Sequence, residues 1–297
     1  MRQTVVIGNV FVDIKGNAFR SVHKDAKNVG QIQFVHGGVA RNVVHNLAVL
    51  GDECRFVATV NQGALGDEVV SALQNLGVDT TYIDSYPSQG MGTWLAVLEP
   101  NGDLLASISE QPSLSQQEDT ILGAMPECIS HASLMGLDVG ISERVNQEVI
   151  RACQRAGVPV FGVVGNLDVV EKQPYSLAGL DTFVCNAEEA AMLAGFPIQS
   201  VEAAQDGAQK IREFGCERIV ITLAAQGSVV FTADKSYFTP AEKVQLVDST
   251  GAGDSFFAGL LFAVKNGAAL QEAARFASEV AARVVSSAHN TLVKTPG

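Results

Sequence analysis

The sequence predicts an α/β protein built on a mainly parallel central sheet, with a small β element beside it. Three observations carry that expectation. From residue 110 onward, short β-branched runs alternate with stretches of helical periodicity, the pattern of βα units. In the first hundred residues, strands come in pairs without a helix between them and alternate polar with apolar residues, as in a sheet with one exposed face. The length of 297 residues, with 47% hydrophobic side chains, is enough for one sizeable core.

The elements follow in order. Thr4 to Gly8 reads as a short first strand ending before Asp13. Residues 31–34 alternate as a strand, and helices are predicted over 39–50 and 67–76. Residues 93–98 and 104–109 flank the turn Asn101-Gly102-Asp103, a hairpin signal. Strands are then predicted at 132–137, 158–164, 182–185 and 218–223. Helices lie between them at 143–156, 188–194 and 202–214, each stopped by a glycine: Gly157, Gly195 and Gly215. Residues 227–232 and 236–239 form an antiparallel pair turning at Asp234, and two helices begin near Ala252 and Leu270. The chain therefore divides into a core of residues 1–13, 37–91 and 110–297 and a β lid of residues 14–36 and 92–109. There is no internal repeat and no low-complexity segment.

Composition narrows the function. Lys plus Arg number 20 against 32 Asp plus Glu, a formal charge of −12, the wrong sign for neutralising a nucleic-acid backbone. A small anionic ligand remains open, because backbone N–H groups and a few placed cations hold phosphate whatever the net charge. No apolar run approaches the roughly 20 residues of a membrane helix, and the start reads as a strand rather than a signal peptide, so no membrane role and a cytoplasmic location are expected. The five cysteines are widely spaced with no Cys-x-x-Cys pair, and the five histidines form no metal-ligand spacing. Buried, reduced thiols and no dedicated zinc or iron site are expected.

The most informative segment runs from Val244 to Leu260, a strand passing through a glycine turn into a helix. N–H groups at a helix start are unsatisfied and carry partial positive charge, so Gly251, Ala252 and Gly253 form a candidate anion cradle. Asp254 sits on the first turn. There it either stabilises the helix by about 0.3–1 kcal/mol, or faces the anion and acts as base on a hydroxyl, as phosphoryl transfer to an alcohol requires. Phe256 stands where a dinucleotide fingerprint needs glycine, and no Gly-Lys-Ser/Thr occurs, so Rossmann and P-loop readings fail.

The block Asp248-Ser249-Thr250-Gly251-Ala252-Gly253-Asp254-Ser255-Phe256 resembles the C-terminal signature of the ribokinase-like (PfkB) family of sugar and nucleoside kinases. A second block, from His36-Gly37-Gly38-Val39-Ala40-Arg41-Asn42 to Gly51, resembles that family's N-terminal signature. The resemblance implies a ribokinase-like three-layer core with a small β-sheet lid, and ATP-dependent transfer to an alcohol with Mg2+. It implies Asp254 as base and the Gly251 to Gly253 N–H groups as anion hole. Asp13 resembles the sugar-binding aspartate, with Gly37, Gly38 and Asn42 approaching the same sugar. A loop and helix start with Asn42 as a surface polar residue is the plainer alternative.

Asn186-Ala187-Glu188-Glu189 resembles the family's Asn-x-x-Glu motif, which organises Mg2+ and phosphate waters. Glu189 is then expected to act through water, and ordinary N-capping by Asn186 is compatible with that role. Thr222 and Gly227 flank the place where relatives hold ATP, with Ala224 or Ala225 replacing a family glycine. Asn290 falls in the tail that flanks adenine and supplies carbonyls to a monovalent cation, with Asp248 as a possible ligand of K+.

Within the family, the lid stretch from Val29 to Asn42, the second lid strands and Asp138 to Ser142 look most like pseudouridine kinases. Arg41 is the distinguishing detail, and Thr93 and Trp94 are candidates to meet a base, although Trp94 is equally readable as core. The resemblance thus implies a kinase for the 5′-hydroxyl of a ribonucleoside, foremost pseudouridine. Another sugar or nucleoside (ribose, fructose, adenosine) and binding without turnover remain the alternatives. The chain departs from the family at Phe11, often asparagine; at Val184, often basic; and at 162–166, which lacks a usual acidic residue. Exposed lid edges lead to the expectation of a homodimer through the lid.

Overall fold

The structure, a computed structural model, describes residues 3–233 and 235–294. The expected turn residue Asp234 lies outside the described residues, as do the first two residues. Nine strands form the main sheet: β1 (Gln3–Ile7), β4 (Cys54–Asn61), β5 (Asp79–Tyr86), β8 (Ala132–Asp138), β9 (Val160–Val163), β10 (Thr182–Asn186), β11 (Arg218–Thr222), β12 (Gly227–Phe231) and β13 (Ser236–Pro240). Their order is β13-β12-β11-β10-β9-β8-β1-β4-β5, with every pair from β11 to β5 parallel and β12 and β13 antiparallel. A separate four-stranded sheet has the order β3-β2-β6-β7, made of β2 (Phe11–Ala18), β3 (Gly30–Gly37), β6 (Gly92–Leu98) and β7 (Leu104–Glu110). Because β2 starts at Phe11, this small sheet takes in Asp13.

Period-two alternation feeds two cores from one sheet. Val5 and Ile7 of β1 pack on one face with α3 (Leu114–His131), α4 (Glu143–Ala156), α5 (Leu167–Lys172), α6 (Ala187–Ala194) and α7 (Val201–Arg212). Val6 packs on the other with α1 (Val39–Val49), α2 (Ala64–Asn75), α8 (Ala252–Lys265) and α9 (Leu270–Val285). This is a three-layer arrangement, helices on both faces of one sheet, as expected. Helix α8 is buried along most of its length, Ser255 to Leu261 included, because α1 and α9 cover it. The predicted helix 143–156 forms and ends at the expected glycine, Gly157 at φ 68°, while the Ser142 hydroxyl caps its start, accepting from the Val145 N–H at 3.1 Å. Such an N-cap contributes about 1 kcal/mol.

The strand order reverses at β1, whose parallel neighbours β4 and β8 lead to opposite sheet edges. In open α/β sheets, ligands bind beyond the carboxyl ends of the strands at such a point. All five cysteines are free and buried, as expected. No helix among the described residues is long and apolar enough to cross a membrane.

Candidate active site

Helix α8 begins over that switch point. Its N-cap, Gly251, has φ 80°, and a Cβ there would stand 1.9 Å from the Asn290 carbonyl oxygen, so only glycine fits. Thr250 N–H is taken by the Asp248 carboxylate at 2.8 Å, and Ala252 N–H by the Ser249 carbonyl at 3.2 Å. The N–H groups of Gly251, Gly253 and Asp254 have no acceptor among the described residues. Of the expected donors Gly251, Ala252 and Gly253, the turn consumes that of Ala252, and the Asp254 N–H stands free in its place.

The Asp254 carboxylate is held across the cleft. Asn42 Nδ2 donates to its Oδ2 at 2.7 Å, and Arg41 Nη1 donates to Asn42 Oδ1 at 3.0 Å. Because a guanidinium can only donate, it fixes which end of the Asn42 amide faces Asp254. Burial pushes the Asp254 carboxyl up to about 7; the Asn42 bond and the Arg41 charge pull against it, while Asp138 and Glu189 add to it. Arg41 is buried, has no carboxylate within ion-pair distance among the described residues, and leaves Nε without an acceptor. Burial lowers its pKa to about 10, against the opposing charges of Asp254 and Asp13. Asn42 is buried too, so the surface reading of that residue does not hold.

Asp138, at the end of β8, completes the floor. Its Oδ1 accepts from Gly140 and Gly165 N–H groups, both at 2.9 Å, and burial raises its carboxyl to about 6. A Cβ on Gly165 would meet this carboxylate at 2.4 Å. The strand end that lacks an acidic residue at 162–166 thus has one supplied by its neighbour. Sequence reasoning did not single out Asp138 as a site residue, although it closes an apolar strand directly before a glycine-containing turn.

Above the floor, the Asp13 carboxylate leans over Gly37, where a Cβ would lie 3.4 Å from Oδ1. Burial raises its pKa, with Lys15 and Arg41 opposing. Gly38 caps α1 at φ 94°, and a Cβ there would be 2.5 Å from the Asn9 carbonyl. Thr93 is not brought to Asp13. It pairs with Val12, on the opposite face of β2, whereas Trp94 pairs with Asp13. One position of register decides the face.

A cavity of about 500 Å³ opens beside the cradle, lined by Thr222, Gly227, Gly253, Phe256, Ala282 and Val285, among others. Ala224 also lines it at φ 48°, a left-handed conformation that favours glycine, so of Ala224 and Ala225 it is Ala224 that occupies the glycine-like position. The segment 241–249 and the flank of α9 at Ser278 to Val285 supply much of the wall; the strand expected from Val244 does not form, and the segment runs as a loop between β13 and α8. Asn186 and Asn290 do not line the cavity. Asn186 and Glu189 form a reciprocal cap of α6, both bonds 2.9 Å. Asn290 donates its amide to the His36 carbonyl at 3.0 Å, tying the C-terminal segment to the root of the lid. A wider surface depression of about 860 Å³ at Arg212, Glu217 and Arg218 lies at the other end of β11.

A free helix-start cradle, a carboxylate facing it and an apolar cavity alongside are the parts that phosphoryl transfer to an alcohol needs. A family model described as pfkB family carbohydrate kinase matches residues 1–295. The chain belongs to the pfkB family. The guanosine-inosine kinase of Exiguobacterium acetylicum is 40% identical over 296 residues, covering 99% of this chain and 97% of that protein. The pseudouridine kinase of Escherichia coli is 27% identical over 279 residues, 92% and 87% of the two chains. Among solved structures, the Arabidopsis thaliana ribokinase complexed with ribose and ATP superposes with a TM-score of 0.84 at 26% identity, covering 97% and 93%. As a pfkB-family member, the chain is an ATP-dependent sugar or nucleoside kinase, a phosphotransferase with an alcohol acceptor.

The family implies a divalent metal such as Mg2+. No group of three or more His, Cys, Asp or Glu among the described residues is arranged to hold a metal ion. Glu189 has one carboxylate oxygen bound to the Asn186 N–H, leaving Oε1 for a water. That donor set fits Mg2+ arriving with nucleotide phosphates and keeping most of its water shell, and does not fit a resident, protein-caged ion.

Proposed function

We propose that this pfkB-family kinase transfers the γ-phosphoryl group of ATP to the 5′-hydroxyl of a purine ribonucleoside, with guanosine and inosine as its best acceptors. The observation that carries the chemistry is the Asp254 carboxylate, held by Asn42 beside the free N–H groups of Gly251, Gly253 and Asp254. The 40% identity to the guanosine-inosine kinase, extending over nearly both full chains, supports the acceptor. Pseudouridine is the second reading, supported by the lid residues from Val29 to Asn42 and by the 27% identity to a pseudouridine kinase.

In this mechanism Asp13 accepts hydrogen bonds from the ribose hydroxyls, and Gly37 and Gly38 let the sugar approach the backbone. Asp254 takes the proton of the attacking hydroxyl. Its raised carboxyl is matched to that task near neutrality. Asn42 keeps Oδ2 occupied and leaves Oδ1 for the hydroxyl, while Arg41 holds Asn42. The N–H cradle offsets charge on the transferring phosphoryl group without having to reorganise. Bound Mg2+ supplies charge neutralisation at the phosphates, and Glu189 orients its water. Thr222, Gly227 and the apolar wall hold the nucleoside part of ATP, and the Asn290 segment braces Gly251. K+ at the carbonyls near Asp248 belongs to the same proposal, tested by exchanging K+ for a large organic cation in the assay.

Coupled ADP release with guanosine, inosine, pseudouridine, uridine, adenosine, ribose and fructose at matched concentrations tests the acceptor. Guanosine and inosine leading supports the proposal; pseudouridine leading replaces it with the second reading; ribose or fructose leading overturns both.

The homodimer is proposed through the lid face opposite Asp13. Cross-strand register places Phe34, Ile14, Leu95 and Ile108 in one row across all four strands, and Phe34, Leu95 and Ile108 are exposed. A contiguous apolar row of this kind is self-complementary about a two-fold axis. Sedimentation analysis should give a dimer that Ile108→Asp converts to monomer; a monomeric wild-type protein would refute it.

A further inference from the structure

The other face of the lid carries a feature that folding does not explain. Phe11, Asp13 and Lys15 alternate along β2, so Phe11 shares the face of Asp13. Register sets Phe11 between Gly37 of β3 and Gly92 of β6, and sets Asp13 beside Trp94. The Phe11 ring lies across Gly92, because a Cβ on that glycine would fall 2.2 Å from Phe11 Cε1. Any larger residue at position 92 would displace the ring.

Phe11 and Trp94 are half-buried, yet among the described residues neither belongs to nor packs against any of the hydrophobic clusters. Among the described residues they make no aromatic pair with one another or with another ring. Two aromatic side chains thus stand outside the apolar cores, both near the Asp13 carboxylate.

We propose that Phe11 and Trp94 form an aromatic platform for the heterocyclic base of the acceptor, placed by Asp13 between them. This rests on the ribonucleoside-kinase reading. Neighbouring strands are about 4.8 Å apart, close to the offset between a ribose ring and its base. A sugar held at Asp13 therefore brings its base onto the adjacent cross-strand position, where Trp94 stands, or along β2 to Phe11. Every base offers a flat π face, so the platform selects nucleosides over free sugars and leaves the choice among bases to polar contacts elsewhere.

Trp94 is the one tryptophan of the chain, so its emission reports on this face alone. Guanosine added to the wild-type enzyme should change Trp94 emission saturably, and ribose should not. Phe11→Ala should raise KM for guanosine roughly tenfold or more, the lower range of a lost base stack, while kcat stays within about threefold. Phe11→Leu, which keeps a branched apolar side chain beside Gly92, should fold normally and show the same KM effect in weaker form. The platform is overturned if guanosine is phosphorylated while Trp94 emission stays constant, or if KM for guanosine in both variants stays within twofold of wild type. Those results leave the nucleoside-kinase reading intact. An enzyme that phosphorylates ribose and no nucleoside overturns that reading and the platform together.

Discussion

Replacing Asp254 by Asn removes the proposed base and little else. An amide at position 254 can still present its oxygen to Asn42 Nδ2, which now donates to the carboxylate at 2.7 Å, so the cleft geometry and the N–H cradle persist. What is lost is proton acceptance, and a positioned general base contributes about 10²–10⁴-fold. At 1.36 kcal/mol per factor of ten, that is about 3–5 kcal/mol of transition-state stabilisation. Coupled ADP release should therefore show kcat reduced by two to four orders of magnitude, with nucleoside affinity measured by calorimetry within a few-fold of wild type. The pH profile sharpens the test. Burial first, with Asp138 and Glu189 adding, holds the carboxyl at about 7. Below that pH Asp254 is protonated and cannot accept, so wild-type kcat/KM should fall with unit slope as pH drops through about 7. The residual activity of the Asn variant should lose this limb. A kcat within fivefold of wild type, or a variant that keeps the acid limb, would refute the assignment.

Further perturbations separate the supporting parts. Arg41→Met frees the Asn42 amide to rotate and should lower kcat about tenfold with KM little changed; because Arg41 is a buried cation without an ion-pair partner among the described residues, the melting temperature should not fall by more than a few degrees. Gly251→Ala meets both φ 80° and the Asn290 carbonyl, so beyond the roughly 1–2 kcal/mol of a left-handed alanine it should dislodge the C-terminal segment and abolish turnover in the same coupled assay. Asp254→Asn should also melt above wild type at pH 8. The raised carboxyl makes ionisation costly in the folded state, a cost fully present above about 7 and vanishing as pH falls toward the ordinary aspartate range near 3.8, so the two melting curves should converge in acid. Equal melting temperatures at pH 8 would contradict the burial of that charge.

How legible this was depended on where information lies along the chain. Both site motifs sit at helix starts, where local residues dictate the backbone, and the helices expected from 143, near 252 and near 270 begin at Glu143, Ala252 and Leu270. Helix α3 was not foreseen, because Pro126 lies inside it and a polar run from Ser115 to Asp119 dilutes its apolar stripe. Strands β4 and β5 escaped as well. β4 is buried on both faces and reads as an apolar run without alternation, and β5 is largely polar on its exposed side. Strand β2 contains Gly16 and Asn17, which argue against a strand locally, yet pairing on both sides holds it.

Long-range geometry was the least legible. The Asn42–Asp254 bond joins residues 212 apart, and nothing local marks that Arg41 acts on Asn42 rather than on the ligand. Thr93 and Trp94 could not be told apart by sequence, since their faces depend on register against β2. Ala252 looked like a cradle donor because the turn bond from its N–H to Ser249 is a three-dimensional fact.

The most direct test is phosphorus NMR of the product formed from guanosine with Mg-ATP. The account predicts a phosphomonoester resonance coupled to the 5′-methylene protons, formed by the wild-type enzyme and lost with Asp254→Asn. Transfer only to a free sugar, or a 5′-phosphate formed undiminished by Asp254→Asn, would contradict it.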